Sequence, residues 1–148
     1  MKQFTISAEV KDLAESVIKE HKLAYLKDVN IEYLTVLPNI STSVIGKCIK
    51  ASNELKFFTK KDYIIEVSGE IWENLDEETR KILLLHELLH ISLKTNKKGD
   101  IVYGISDHDV KDFKRVIKHY GAEWGEKIKA CVASIYDMSP EESENITV

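Results

Sequence analysis

The stretch from Ile82 to Ile91 constrains the fold more than any other part of this 148-residue chain. It is apolar on nearly every side, which predicts a helix buried within the protein rather than one lying on a surface. Asp76 is predicted to cap this helix, and the two glutamates that follow it suit the positive end of the helix dipole. We therefore expect a central helix from Asp76 to about Lys94, with the rest of the chain folded around it.

The residues before the central helix carry both helix and strand patterns. Ser7 is a predicted N-cap, and apolar residues then recur at helical spacing to about His21. Runs of β-branched and aromatic residues predict three strands, at 29–37, 44–51 and 62–68, with a polar loop at 52–61. The order of a helix, strands and then helices predicts an α+β fold in which a small sheet of about three strands packs on the central helix.

Beyond the central helix, the pattern predicts a loop or short hairpin at 95–104 and then two more helices. Ser106 is the predicted cap of the first, which stops at Gly121, and 124–135 forms the second. The acidic residues from 137 to 148 are expected to fray. At this length we expect residues 1–148 to form one domain.

The composition excludes several classes of protein. The net charge of -4 does not favour nucleic-acid binding, and we expect no nucleic-acid partner. Cys48 and Cys131 are far apart and form no C-x-x-C pair, which disfavours a zinc ribbon or a redox motif. No apolar run is long enough to cross a membrane and the N-terminus lacks a signal core, so we expect a cytoplasmic protein with no membrane partner.

One motif on the central helix carries chemistry: His86-Glu87-Leu88-Leu89-His90. Residues four apart lie on one helix face, so two imidazoles at this spacing can bind one Zn²⁺ ion. Glu87 points about 100° away from His86, which disfavours it as a third ligand but allows it to act as general base toward water activated by the metal. Since buried imidazoles and a buried carboxylate are costly unless they are paired or bind a metal, the apolar surroundings favour a metal site.

A catalytic zinc site needs a third protein ligand from elsewhere in the chain. We predict His108, with seventeen residues between it and His90, because it falls in the first turn of the next predicted helix. Glu123 is an alternative, and Asp107 and Asp109 could ligate the ion or support His108. The ion itself could also be cobalt, nickel or manganese, since the same ligands accept them.

Two further features of a hydrolase stay open at this point. Tyr103, Tyr120 and His119 are candidates to stabilise an oxyanion, and nothing in the sequence selects one of them. The strand at 62–68 could offer a free backbone edge to an extended peptide, or it could be an ordinary paired strand.

Two segments of the chain, 62–92 and 107–124, resemble the putative phage metallopeptidase family. The first reads D-Y-I-I-E-V-S-G-E-I-W-E-N-L-D-E-E-T-R-K-I-L-L-L-H-E-L-L-H-I-S and the second D-H-D-V-K-D-F-K-R-V-I-K-H-Y-G-A-E-W. The segment Ile45-Gly46-Lys47-Cys48 also fits that family's middle strand. The resemblance implies a compact zincin-like fold and a zinc peptidase encoded by a phage or prophage, acting in a bacterial host.

A looser likeness connects the chain to SprT-like proteases, which place a third histidine in an H-G-x-x-F motif. His108 and Phe113 have the same spacing here, although Asp109 replaces the glycine. The C-terminal zinc ribbon of many SprT-like proteins is absent, which disfavours a function linked to DNA.

The leading hypothesis is thus a zinc-dependent peptidase in which His86, His90 and His108 bind the metal and Glu87 activates water for attack on a peptide bond. The presence of a base beside the ligands favours this enzyme. The alternative is a metal-stabilised, phage-type module that binds a protein with little or no turnover, which the small size of the chain favours. A hydrolase of non-peptide amides is a third reading.

Overall fold

The computed structural model describes residues 1–41 and 44–106, and this part of the chain confirms the α+β class. Its strands are β1 (Gln3–Ile6), β2 (Ile31–Leu37), β3 (Gly46–Lys50), β4 (Tyr63–Ser68), β5 (Ile91–Thr95) and β6 (Ile101–Ile105). Its α-helices are α1 (Ala8–Glu20), α2 (Asn53–Thr59), α3 (Gly69–Glu73) and α4 (Glu77–Leu88), and a short 3-10 helix covers Ala24–Leu26.

The main sheet has four strands in the order β1-β2-β4-β3, one more than the sequence predicts. The additional strand is β1, which runs antiparallel to β2. β2 and β4 are parallel, and β3 lies antiparallel to β4 on its other side. Because β4 is paired along both edges, the idea that it offers a free edge to a peptide is wrong, and β3 is the outer strand on that side of the sheet.

Two helices cover one face of this sheet and enclose the core. α1 contacts α4 and β2, while α4 contacts β3, so both helices lie on the same face. The side chains of Val10, Ala14 and Val17 in α1 are fully buried, as are Leu83, Leu84 and Leu85 in α4. This burial confirms the prediction that the central helix is enclosed by the rest of the fold.

The central helix begins where the sequence predicts and ends earlier. The Asp76 side chain accepts a hydrogen bond from the Thr79 backbone N–H at 2.7 Å, which caps the first turn. The helix stops at Leu88 instead of Lys94, and the chain turns directly into β5. The reason is tertiary pairing, since residues 91–95 hydrogen bond with β6, which overrides the helical pattern of the preceding segment.

The hairpin of β5 and β6 is the short hairpin that the sequence left as one of two options. Ile91 pairs with Ile105 at its open end, and Gly99 has a positive φ of 84° in the turn. The Tyr63 hydroxyl donates a hydrogen bond to the Gly104 carbonyl at 2.7 Å, which ties the hairpin to β4 of the main sheet.

The segment 52–61, predicted as a loop, contains α2. Ser52 caps the helix by accepting a hydrogen bond from the Leu55 backbone N–H, and Lys60 ends it in the left-handed conformation. The short α3 helix was not predicted either. None of the helices within the described ranges is long and apolar enough to span a membrane. The helices predicted after Ser106 and the acidic tail lie outside the described residues.

Candidate metal centre

The last turn of α4 brings His86, Glu87 and His90 together. His86 and Glu87 belong to the helix, and His90 follows it by two residues, in the turn that leads to β5. The two imidazole rings lie edge to face, with centroids 5.2 Å apart and an interplanar angle of 84°. One ligand atom from each of the three residues lies within 4.8 Å of the other two, which is close enough for a shared metal ion.

The His90 ring is held in one tautomer by a backbone group. Its Nδ1 lies 2.7 Å from the Ser106 carbonyl oxygen, and because that oxygen can only accept, Nδ1 carries the proton. The Ser106 backbone N–H in turn donates to the His90 carbonyl at 2.8 Å. In the neutral imidazole Nε2 is then the unprotonated nitrogen, and a hydrogen bond on the far side of the ring is the usual way in which proteins orient a ligating histidine.

Glu87 is the most unusual member of the group. Its side chain is only 2% exposed, and its Oε1 atom has no hydrogen-bond partner among the described residues. Buried carboxylates are normally paired or hydrogen bonded, because the desolvation of a charge is costly. Two neighbouring imidazole groups and an unsatisfied carboxylate oxygen are a donor set that suits a divalent cation.

Burial also changes the acid–base chemistry of this site. Desolvation raises the pKa of the Glu87 carboxyl from its ordinary value of 4.5 to about 8. Desolvation, with a further contribution from the Glu87 charge, raises the pKa of the Cys48 thiol to about 12. The thiol is therefore neutral at physiological pH, whereas burial makes the carboxyl far more easily protonated than an ordinary glutamate.

Gly46 and Cys48 in β3 form the wall opposite Glu87, and the sequence analysis gave neither of them a place in the site. A Cβ atom at position 46 would lie 3.0 Å from Glu87 Oε1 and 3.1 Å from Leu83 Cδ1. The glycine therefore leaves the space that the carboxylate occupies. A glycine inside a strand pattern signals such a close approach, but the sequence does not say which group approaches.

Several predicted participants lie outside the described residues. These are the predicted third ligand His108, its alternatives Glu123, Asp107 and Asp109, and the oxyanion candidates Tyr120 and His119. Tyr103 is described, and its ring packs against Tyr63 with a centroid distance of 6.1 Å and lies 4.2 Å from Lys56 Nζ. Within residues 1–41 and 44–106, the structure thus joins His86, Glu87 and His90, and it places Tyr103 against Tyr63 and Lys56. The candidates beyond residue 106 stay predictions.

An α+β fold with a largely buried histidine–glutamate–histidine group at the end of its central helix is typical of proteins that can hold a metal ion. A family model places the chain more narrowly: it matches residues 2–136, and the chain belongs to the family described as putative phage metallopeptidase. This match confirms the resemblance noted from the sequence. No curated protein and no solved structure matches the chain.

Proposed function

We propose that this protein is a zincin-like, zinc-dependent peptidase that uses Glu87 as its general base. In this proposal His86 and His90 hold the ion through imidazole nitrogens, and His108 supplies the third protein ligand. The family to which the chain belongs supports a peptide or protein substrate. Imidazole ligands favour zinc, although the same donors accept other divalent metals.

The observation that carries the proposal is the unsatisfied Oε1 atom of Glu87. A carboxylate that is 2% exposed would ordinarily be replaced by an apolar residue or given a partner, yet the space left by Gly46 accommodates it. A cation held by the neighbouring imidazoles would favour the ionised carboxylate and offset its desolvation. The residues that are present therefore fit a divalent metal.

Peptide hydrolysis needs a group that moves protons near the scissile bond. A zinc ion bound here would lower the pKa of water toward about 7 and polarise the substrate carbonyl. Glu87 would accept a proton from the attacking water and deliver it to the departing amine nitrogen. Burial favours the protonated form of this carboxyl, whereas a nearby cation would favour the ionised form, and the two opposing effects would let the group both accept and release a proton.

The other residues of the site would keep this geometry fixed. The Ser106 carbonyl holds the proton on Nδ1 of His90, which leaves Nε2 available as the ligand. The buried side chains of Leu83 and Leu84 exclude bulk water from the helix side of Glu87. Exclusion of water strengthens the electrostatic interactions of the carboxylate with its neighbours.

The decisive experiment measures bound metal per chain by elemental analysis of protein purified without added zinc. Wild type is expected to hold about one zinc ion, and His90→Ala and His108→Ala are expected to lose most of it. His119→Ala is the matched control, because eleven helical residues would separate it from His108 by about 16 Å. Retention of zinc by His108→Ala would mean that the third ligand is another residue, and Glu123→Ala would be measured next.

Turnover distinguishes the enzyme from a metal-stabilised binding module. Degradation of an unfolded protein substrate such as casein by wild type, with loss of cleavage in Glu87→Gln at unchanged zinc content, would support the enzyme. The binding module would be supported instead if zinc-loaded wild type cleaves no substrate and the Glu87→Gln variant binds as much zinc as wild type does. Wild type without bound metal, and without a rise in melting temperature on zinc addition, would refute both.

A further inference from the structure

The charges of this protein are distributed very unevenly. Residues 47–62 and 94–102 contain eight lysines and three acidic residues, a net charge of +5 in a chain whose total is -4. Lys56 is paired with Asp62 at 2.8 Å and Lys61 with Glu32 at 3.8 Å. The other lysines of these segments have no acidic partner within the described ranges, so they are available to an anionic surface.

These two segments lie on one side of the molecule. A cavity of about 240 Å³ is lined by Lys50, Asn53 and Lys56 from the first segment and by Ile101 and Val102 from the second. We call the surface made by the exposed side chains of residues 47–62 and 94–102 the basic-aromatic face. It is separate from the Glu87 carboxylate, which contacts the opposite end of β3 at Gly46.

Large apolar side chains project from the same face. Phe57 and Phe58 on α2 are 70% and 81% exposed, and Ile101 and Val102 on β6 are 57% and 47% exposed. Neither phenylalanine lines the cavity beside α2, so both point outward instead of forming the wall of a groove. The two phenylalanine rings contact each other, with centroids 5.4 Å apart, and exposed apolar side chains of this kind beside unpaired charges mark an interaction surface.

One lysine without an acidic partner lies against the phenylalanine pair. Lys60 Nζ is 5.5 Å from the centre of the Phe57 ring, whereas Lys56 and Lys61, which flank the pair in sequence, are held by Asp62 and Glu32. Protruding aromatic side chains beside a lysine ammonium group match the boundary between acyl chains and anionic headgroups. The aromatic rings can enter the apolar layer while the lysines remain at the level of the phosphates.

The geometry fits single-stranded nucleic acid less well. Bases stack on open, flat aromatic faces. Here the Phe57 and Phe58 rings meet edge to face, at 5.4 Å and 83°, and Lys60 lies over the Phe57 ring. Ile101 and Val102 have no ring on which a base could stack, but they can contact lipid.

We propose that the basic-aromatic face binds the surface of anionic lipid bilayers, through Phe57 and Phe58 with the surrounding lysines. Such contact is peripheral and needs no membrane-spanning helix. From the sequence we expect no membrane partner, because no apolar run is long enough to cross a membrane. The present proposal limits that expectation to membrane-spanning contact. The proposal does not depend on the metal centre or on peptidase activity.

Co-sedimentation of the full chain with vesicles tests the proposal. Binding is expected to vesicles of phosphatidylcholine with phosphatidylglycerol, to be weak on pure phosphatidylcholine, and to fall as salt is raised because the attraction is screened. The double variant Phe57→Ser, Phe58→Ser is expected to bind at least about tenfold more weakly, since two apolar side chains no longer enter the bilayer. Lys50→Gln with Lys60→Gln is expected to weaken binding to the anionic vesicles only.

Matched controls come from another part of the chain. Phe4→Ser removes an aromatic side chain that is 59% exposed on β1, and Lys11→Gln with Lys27→Gln removes two exposed charges outside the face. Neither control is expected to change binding, and unchanged melting temperatures would show that every variant is folded. Absence of binding by wild type, equal loss in the controls, or binding to oligothymidylate but not to vesicles would overturn the proposal.

Discussion

Two carboxylates are buried in the part of the chain that the structure describes, and their surroundings are opposite. Asp62 is 5% exposed and uses both oxygens: Oδ2 accepts from the Asn30 backbone N–H at 2.9 Å, and Oδ1 pairs with Lys56 Nζ at 2.8 Å. Glu87 is 2% exposed, and its Oε1 atom has no partner among the described residues. Asp62 thus follows the rule for buried charges, whereas Glu87 departs from it.

The difference indicates separate roles. The partners of Asp62 connect the start of β2 and the end of α2 to the beginning of β4, so its carboxylate stabilises the sheet. The Oε1 atom of Glu87 makes no comparable stabilising contact among the described residues, and burial of the carboxylate lowers the stability of the folded state. Residues that are held at such a cost cluster at functional sites, which makes Glu87 the stronger candidate for chemistry.

The largest expected effect is on activity. Glu87→Gln keeps the shape of the side chain but cannot accept a proton, so we expect peptidase activity to fall by about 10²- to 10⁴-fold. Asp62→Asn is the comparison, and its activity per folded molecule should stay within about threefold of wild type. Cleavage assays on zinc-loaded proteins check both, and similar losses in the two variants would remove the contrast between them.

The next effect concerns stability and pH in metal-free protein. The folded-state pKa of Glu87 is about 8, above its ordinary 4.5, so folded protein holds this proton more tightly than unfolded protein does. The contribution of this group to stability is therefore fully present below pH 4.5 and is lost as pH rises to about 8. Between these limits we expect a loss on the order of 1 kcal/mol per pH unit.

Urea denaturation of metal-free wild type and Glu87→Gln, across that pH range, measures this loss. The stability difference should shift steadily in favour of the glutamine variant as pH rises. A pH-independent difference would mean that Glu87 does not titrate in the folded protein.

A smaller effect is expected at Asp62. Asp62→Asn places an amide N–H₂ group against Lys56 or removes the acceptor of the Asn30 N–H, and should destabilise the protein by about 1–3 kcal/mol. Lys56→Gln, which changes a side chain that is 46% exposed, should cost less, because water solvates what remains. Equilibrium unfolding compares the two, and zinc content should be the same in both variants.

The smallest effect is expected at Ser106. Its backbone carbonyl, and not its side chain, fixes the His90 tautomer, so Ser106→Ala should preserve zinc content and change stability by less than about 1 kcal/mol. Zinc titration followed by thermal unfolding measures both quantities. A marked loss of zinc affinity would show that the weak hydroxyl contacts, 3.3 and 3.4 Å from the Leu89 and His90 carbonyls, position the ring.

Local sequence patterns predicted the parts of the site that are close together in the chain. The spacing of His86 and His90, the Asp76 cap and the apolar surroundings all belong to one short segment of the chain, although His90 lies just beyond the end of the helix. The end of that helix at Leu88 was missed because the pairing of residues 91–95 with β6 decides it. β1 and α2 were missed for related reasons, since a four-residue edge strand and a seven-residue helix carry weak periodicity.

Contacts between distant residues could not be predicted in the same way. The approach of Gly46 to Glu87 depends on the register of β3 with β4, which places Gly46 opposite Val67. The hydrogen bond from His90 to Ser106 depends on the hairpin. The choice of His108 as third ligand also depends on long-range folding, and it stays a prediction.

The small space left by Gly46 also has a consequence for the order of events during folding. The two histidines are close together in the chain. The space for the Glu87 carboxylate, in contrast, is left by Gly46, about forty residues earlier, and the hydrogen bond that orients His90 comes from the carbonyl of Ser106. Contacts between residues far apart in sequence form slowly, because long loops must close first. We therefore expect that the histidine pair comes together before the space for the carboxylate is complete, so that the site can bind a metal with all three residues only after the long-range contacts have formed.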